Sequence, residues 1–378
     1  MTALAQPNLP ASQASAHDAR FMRLAMNLGA RHLGHTWPNP SVGAVVVRED
    51  GAGPIILTQG ITQPGGRPHA ERIALEQAGA AARGGTLYVS LEPCSHHGRT
   101  PPCVDAILAA GVNRVVTALE DPDPRVRGRG HDLLRARGID VVTDVLSSEA
   151  RRVHRGHITR VTRGRPAVTL KLAQTRAGIS GRSAGPRLLI TGESANRRVH
   201  LMRSHADAIL VGVGTVLADD PLLTVRLPGL VHQPVRVVFD SHLRTPTTCR
   251  LVASADAVPT WIVTSAEAPD EAARRLSDLG VTVIRARCGS DGQLDLADAM
   301  ASLSRRGLTR VFCEGGPSLA EALAVADLVD ECVLITSDHD ADGDVRGVRL
   351  GLAAALARMV PLLPEQAGGD RIEIYERG

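Results

Sequence analysis

The sequence predicts an α/β protein built as two successive units. Three observations carry that reading. Helical and β-rich segments alternate along nearly the whole chain, the pattern of helices packed on a largely parallel sheet. An arginine-dense stretch ending in Gly-Arg-Pro, residues 147–166, interrupts the alternation once. The length of 378 residues suits two or three hydrophobic cores.

In the first unit, "DARFMRLAMNLGARHLG" places Phe21, Leu24, Ala25 and Leu28 at helical spacing, with Asp18 as its cap. "VGAVVVRED" and "PIILTQG" read as strands joined by the turn signal "DGAG". "AERIALEQAGAAA" is helical, "TLYVSLE" a strand, "PCVDAILAAG" a helix stopped at Gly111, and "VNRVVTAL" a strand. "RGHDLLRARG" is a helix stopped at Gly138, and "IDVVTDVL" closes the series as a strand. The order α-β-β-α-β-α-β-α-β indicates a three-layer domain. The second unit repeats the theme with β-rich runs "AVTLKLA", "ADAILVGVGTVLAD", "VRVVFD", "TWIVTS", "LGVTVIRA", "LTRVFCEGG" and "DECVLITS". The boundaries that follow are a tail at 1–17, a domain at 18–150, a linker at 151–165 within an arginine-rich stretch that reads as solvated helix and linker, and a second domain at 166–378.

Composition excludes several classes. Aromatics are 2% of residues, so the cores are Val, Leu, Ile and Ala, and no stacking platform for single-stranded nucleic acid exists. The net charge of +3 is carried almost wholly by arginine, Lys171 being the single lysine, and forms no phosphate-binding stripe. No apolar run reaches the roughly 20 residues of a membrane span. The N-terminal stretch lacks a basic and an apolar region, so no signal peptide is read. Six cysteines without such a signal imply a reducing, cytoplasmic setting in which thiols serve as metal ligands or core residues.

The stretch "LEPCSHHGRTPPC", Leu91 to Cys103, is where chemistry concentrates. Upstream, "PHAERIAL" sets His69 and Glu71 about one alanine at a helix start. A catalytic zinc takes three protein ligands and keeps one position for water, and His69, Cys94 and Cys103 supply three. Such a metal brings its water to a pKa near 7. Glu71 is then the proton shuttle rather than a ligand. This is the H-x-E…P-C…C arrangement of zinc nucleobase deaminases, with eight residues between the cysteines where two are usual. A closed structural site with His96 or His97 as fourth ligand is the competing arrangement.

"WPNPSVG", "HAE" and "EPCSHHGRTPPC" together resemble the deaminase half of the bifunctional riboflavin-biosynthesis deaminase/reductases, and the similarity runs from about residue 18 to 378. The resemblance implies a cytidine-deaminase-like domain followed by a dihydrofolate-reductase-like domain, with zinc and NADPH as cofactors. It implies a phosphorylated diaminopyrimidinone nucleotide as substrate, deaminated and then reduced from ribosyl to ribityl, and a homo-oligomeric enzyme. It places Asn39 in a substrate-contact stretch. The polar insert, with His96 and Arg99, is able to reach the substrate's polar edge and phosphate. In the second half it assigns Lys171, Arg203, Leu223, Arg226 and Glu314 to substrate, the arginines suiting the phosphate. It assigns Ala173, Thr215, Asp219, Ser241 and the run Gly316-Pro317-Ser318-Leu319-Ala320-Glu321-Ala322 to the cofactor. The Gly315-Gly316 turn between a strand and a helix independently suits a phosphate.

The chain departs from the family at Thr175-Arg176-Ala177-Gly178, where "SLDG" is usual, at Leu189, where a Trp stands, and at Gly185-Pro186-Arg187, where "GES" is usual. "TSDHDADGDVRG" also replaces a glycine-rich loop; its acidic residues fit no calcium-binding spacing and read as solvated. These changes predict weaker NADPH binding than the family pattern gives. An active deaminase carrying an impaired or purely structural reductase-like domain is the alternative reading.

Overall fold

The computed structural model describes residues 15–98, 100–180, 190–338 and 353–378. The chain divides into two compact units, Met1–Thr162 and Arg163–Gly378. The first contains α1 (Ala16–Ala30), β1 (Gly43–Glu49), β2 (Pro54–Ile61), α2 (Ala70–Ala78), β3 (Thr86–Val89), α3 (Cys103–Ala110), β4 (Arg114–Thr117), α4 (Arg129–Ala136), β5 (Asp140–Val142), α5 (Ser147–Val153) and α6 (Arg155–Arg163), the last ending one residue past the division. Its first nine elements follow the order read from the sequence.

The strands form one sheet in the order β2-β1-β3-β4-β5. β1 pairs antiparallel with β2 and β3, and β3, β4 and β5 run parallel. Both faces are covered, so β1 and β3 carry continuous apolar runs such as Ala44-Val45-Val46-Val47 and Leu87-Tyr88-Val89, all buried. Gly60 lets α2 lie close on β2: a Cβ there would stand 2.0 Å from the Ala70 carbonyl oxygen. That contact fixes the helix turn carrying His69 and Glu71.

The first helix starts earlier than the sequence suggests. Ser15, not Asp18, is its N-cap, and Asp18 closes a capping box by accepting from the Ser15 N–H at 2.6 Å. Asp18 is fully buried and also accepts from the Tyr88 hydroxyl at 2.9 Å and from Arg114 at 2.7 and 3.0 Å. Burial opposes its ionisation, but the Arg114 guanidinium, the Ser15 amide and the Tyr88 hydroxyl prevail and hold the carboxyl at about 2.

The arginine-rich segment read as a solvated helix and linker is helical over Ser147–Val153 and Arg155–Arg163, but it is partly buried and most of it belongs to the first unit. α6 leaves Arg163 exposed and Arg155 and Arg160 half-buried, and it buries Gly156, His157 and Thr159. His154, between the two helices, is buried with Nε2 3.0 Å from the Ser90 carbonyl oxygen. A charged outer face and a buried inner face on the same helix explain the difference.

The second unit contains β6 (Ala167–Gln174), α7 (Glu193–Ser204), β7 (Ala208–Gly212), α8 (Val213–Asp219), β8 (Val235–Phe239), α9 (Arg250–Ala253), β9 (Thr260–Ser265), α10 (Asp270–Asp278), β10 (Thr282–Ala286), α11 (Leu296–Arg305), β11 (Arg310–Cys313), α12 (Pro317–Val325), β12 (Glu331–Thr336), α13 (Ala353–Leu356), β13 (Met359–Pro361), β14 (Glu365–Ala367) and β15 (Asp370–Arg377). Its sheet runs β10-β9-β8-β7-β11-β6-β12-β15-β13, with β14 paired to β15. From β10 to β12 all pairs are parallel, and β15 adds antiparallel. The run "ADAILVGVGTVLAD" is not one strand: it splits at Gly212, which caps α8. Ligands of such sheets sit beyond the carboxyl ends of the strands, and β7 and β11 there deliver the N-termini of α8 and α12.

Candidate functional site

In the first unit, His69 is the N-cap of α2 and Cys103 opens α3. Cys94 lies in the loop after β3. The three donor atoms lie within 4.8 Å of one another. His69 Nδ1 is 3.2 Å from the Cys103 sulfur and 3.6 Å from the Cys94 sulfur, and the Cys103 N–H donates to Cys94 Sγ at 3.3 Å. The Cys103 thiol, outweighing burial and helped by His69 and the Cys103 amide, brings the Cys94 thiol down to about 4. The Cys94 sulfur and burial push Cys103 up. The neighbouring Cys94 sulfur, against the effect of burial, pushes His69 up. Two thiols and an imidazole converging, one thiol at a helix N-terminus, form the soft donor set that suits zinc. Among the described residues no fourth His or Cys joins them, which favours the open catalytic site over the closed one.

Glu71, two residues into the chain from His69, is 4% exposed, and burial pushes its carboxyl up. It lines a cavity of about 100 Å³ with Asn39, Arg67, His69, Cys94 and His96. The Asn39 amide donates to the Gly66 carbonyl at 2.9 Å, leaving its oxygen as the remaining acceptor. His96 Nδ1 is buried without a partner among the described residues. Arg67 donates to Thr100 Oγ1 at 2.5 Å. Arg99 lies outside the described residues.

The lining of the cavity also contains residues the motif did not reveal. Asp121, Asp123 and Arg125 line it from the segment after β4, and His157 from α6. That segment hangs from one buried carboxylate. Glu92, two residues before Cys94, accepts from the N–H groups of Asp121 at 3.1 Å, Gly128 at 3.0 Å, Gly130 at 2.9 Å and His131 at 3.4 Å. Gly130 permits this approach, because a Cβ there would stand 2.3 Å from the Pro93 carbonyl oxygen.

The second unit holds a cavity of about 830 Å³, within the usual range for ligand pockets. Lys171, Ala173, Thr215, Asp219, Ser241 and Glu314 line it, as do Gly316, Pro317, Ser318, Leu319 and Ala322. Gly212 and Gly316 are the N-caps of α8 and α12. A Cβ at Gly316 would lie 3.7 Å from Thr215 Oγ1, so the two helix starts are adjacent. Exposed N–H groups and like-oriented dipoles at one point suit a pyrophosphate.

Beside this cavity Arg203 makes a two-pronged pair with Glu314, its Nη2 at 2.8 Å, and donates to the Thr224 carbonyl at 2.9 Å. Burial opposes the charge on Glu314, but Arg203 and Lys171 outweigh it and keep the carboxyl low. Arg226 is exposed, with no carboxylate partner among the described residues, and its N–H donates to His200 Nδ1 at 3.2 Å. Burial and the charges of Arg203 and Arg226 bring His200 down to about 4.

The comparisons with known proteins match this division. The family model of the cytidine and deoxycytidylate deaminase zinc-binding region covers residues 15–119, and that of the RibD C-terminal domain covers residues 166–337. The riboflavin biosynthesis protein RibD of Escherichia coli is 39% identical over 343 residues, 88% of this chain and 90% of its own. The chain belongs to the RibD family. The Aquifex aeolicus member is also 39% identical, over 84% of this chain and 86% of its own. The solved structure of Acinetobacter baumannii RibD matches with TM-score 0.82 at 31% identity, over 96% of this chain and 99% of that one. A Thermotoga maritima structure, described as a diaminohydroxyphosphoribosylaminopyrimidine deaminase and 5-amino-6-(5-phosphoribosylamino)uracil reductase, matches with TM-score 0.80 at 33% identity, over 96% and 99%. As a RibD family member the chain is a bifunctional enzyme of riboflavin biosynthesis, a zinc-dependent deaminase joined to an NADPH-dependent reductase. The reading of the second domain as purely structural is not favoured.

Several expected contacts sit differently from a simple lining role. Ala320 is fully buried inside α12, and Glu321 faces solvent. The Leu223 side chain packs into the core, with its backbone at φ 49°. Arg203 is committed to Glu314. Residues 181–189, with the Leu189 and Gly185-Pro186-Arg187 departures, and residues 339–344 of the acidic loop lie outside the described residues.

Proposed function

We propose that the cavity at His69, Cys94 and Cys103 removes an amino group from a 2,5-diamino-6-(5-phosphoribosylamino)pyrimidin-4-one. The second cavity then uses NADPH to reduce the ribosyl group to ribityl. The observation that carries the first half is the convergence of three soft donors within 4.8 Å beside a buried glutamate. His69, Cys94 and Cys103 would hold zinc, which supplies the Lewis acidity that makes a water nucleophilic at neutral pH. Glu71 is the group that would accept a proton from water and deliver it to the ring and then to the departing amine. Its raised affinity for protons, caused by burial, matches this duty. The Asn39 oxygen accepts from the pyrimidine, and His96 meets its polar edge.

In the second cavity NADPH supplies the hydride. The starts of α8 and α12, with Thr215, Ser318 and Leu319, hold its phosphates. Ala173, Asp219 and Ser241 border the rest of the cofactor. Lys171 and Glu314 face the sugar that is reduced. Arg226 binds the substrate phosphate, because it is the exposed cation beside a carboxylate already satisfied by Arg203. Arg203 serves by fixing Glu314, and Leu223 through its backbone. The enzyme works as a cytoplasmic homo-oligomer.

The test is mass spectrometry of the pyrimidine after incubation with Glu71→Gln enzyme and NADPH. Accumulation of undeaminated substrate, with the same enzyme still reducing supplied deaminated compound, supports both assignments. Deamination at the normal rate removes Glu71 from the mechanism.

A further inference from the structure

We infer that His157, on α6, is a positioning residue for the deaminase cavity: it fixes Asp121 so that one carboxylate oxygen stays bound in the loop while the other faces the substrate ring. The inference rests on the deaminase reading above.

The geometry is direct. His157 is 8% exposed and lines the cavity. Its Nε2 lies 2.9 Å from Asp121 Oδ1. An ionised carboxylate only accepts, so Nε2 carries the hydrogen. The other ring nitrogen, Nδ1, is buried with no partner among the described residues. The single polar contact of this side chain, among the described residues, is therefore Asp121. A buried imidazole with an unpaired nitrogen is a costly way to fill space, and a phenyl or leucyl group would pack there without that cost. What only histidine's N–H contributes is the bond to Asp121.

Asp121 is 7% exposed and also lines the cavity. Its Oδ1 accepts both from His157 and from the Asp123 N–H at 2.9 Å. Its own N–H is held by Glu92. Backbone and one oxygen are thus pinned from three directions, and among the described residues Oδ2 is left as an acceptor. A diaminopyrimidine presents N–H donors along its ring edge, and a carboxylate oxygen held in one orientation selects for them. Without His157 the carboxylate keeps its loop contact but is free to rotate, which weakens substrate binding more than it slows the chemical step.

The experiment uses the full-length zinc-loaded enzyme and measures ammonia release from the diaminopyrimidinone nucleotide. His157→Phe should raise KM about tenfold or more, the cost of a charge-assisted hydrogen bond, with kcat within about threefold. His157→Gln, which restores an N–H at the position of Nε2, should return KM to within about threefold of wild type. On an Asp121→Ala background, adding His157→Phe should change KM by less than about twofold, because the residue acts through Asp121. Zinc content should stay at about one per chain in all variants. An unchanged KM in His157→Phe overturns the inference. So does a full additional tenfold on the Asp121→Ala background. Parallel loss of zinc and melting temperature in both His157 variants shows a structural role and also overturns it. A wild-type enzyme that releases no ammonia overturns the deaminase reading itself, a result separate from any difference among the variants.

Discussion

The two cavities of this chain are built on opposite plans. The deaminase cavity is narrow, about 100 Å³, and among its lining groups are His69, Glu71 and Cys94, whose proton affinities are displaced by burial and by neighbouring thiols. The reductase cavity is open, about 830 Å³, and its wall is mainly helix starts and small residues. The first performs acid–base chemistry, so the protein itself must shift proton affinities. The second holds a cofactor that brings its own reactivity, so the protein's work is to bind and orient it. Damage to the first cavity should therefore be severe and local, and damage to the second graded.

The largest effect expected is from Cys103→Ser. Loss of a zinc ligand should empty the metal, abolish ammonia release and lower the stability of the first unit, since ligation is coupled to folding. NADPH-dependent reduction of supplied deaminated substrate should continue. Metal analysis beside the two activity assays checks this, and full zinc occupancy would remove Cys103 from the ligand set.

Next comes Glu71→Gln, which retains zinc and size but cannot carry a proton. Deamination should fall by about 10²-fold or more. Stopped-time ammonia assays at saturating substrate measure it.

A smaller effect, on stability rather than chemistry, is expected at Asp18. Asp18→Ala breaks a buried pair with Arg114 and a helix cap, and should cost about 3 kcal/mol in denaturant unfolding of the first unit. The same carboxyl gives a pH signature. Its folded value of about 2 lies below the unfolded value near 3.9. Its contribution is complete above about pH 4 and disappears as pH falls through about 2. Urea midpoints of wild type and Asp18→Ala should accordingly converge toward low pH.

The mildest change belongs to the reductase cavity. Arg226→Ala should raise the substrate KM about tenfold through lost phosphate pairing and leave NADPH affinity nearly unaltered. A weakened NADPH affinity in this variant would place Arg226 against the cofactor instead.

The same contrast governs how much was legible in the sequence. His69, Glu71, Cys94 and Cys103 could be named because zinc chemistry demands particular residue types within two short strings. Glu92, Asp121 and His157 could not, because the wall they form is assembled by tertiary structure from three distant segments. No spacing rule links Asp121 to His157. By composition α6 reads as solvated helix and linker because of its arginines, while the pattern that matters is the buried stripe Gly156, His157 and Thr159. At the other end of the unit, Asp18 suggested a cap, but its carboxylate was already committed to Ser15, Tyr88 and Arg114. In the second unit, resemblance pointed to positions without saying which atom acts. Leu223 and Ala320 turn their side chains into the core, and Arg203 is occupied by Glu314.

The central claim is that one chain carries two separate catalytic cavities used in order. The most direct measurement follows ammonia release and NADPH oxidation together in one reaction of the purified full-length enzyme with the diaminopyrimidinone nucleotide. Without NADPH, about one ammonia per substrate should appear and the pyrimidine should stop at the deaminated ribosyl compound. With NADPH, oxidation should begin after a lag, at a rate that follows accumulation of that compound, and Glu71→Gln should suppress both signals. NADPH oxidation that proceeds at full rate in Glu71→Gln enzyme, without any ammonia, would contradict the order and with it the account.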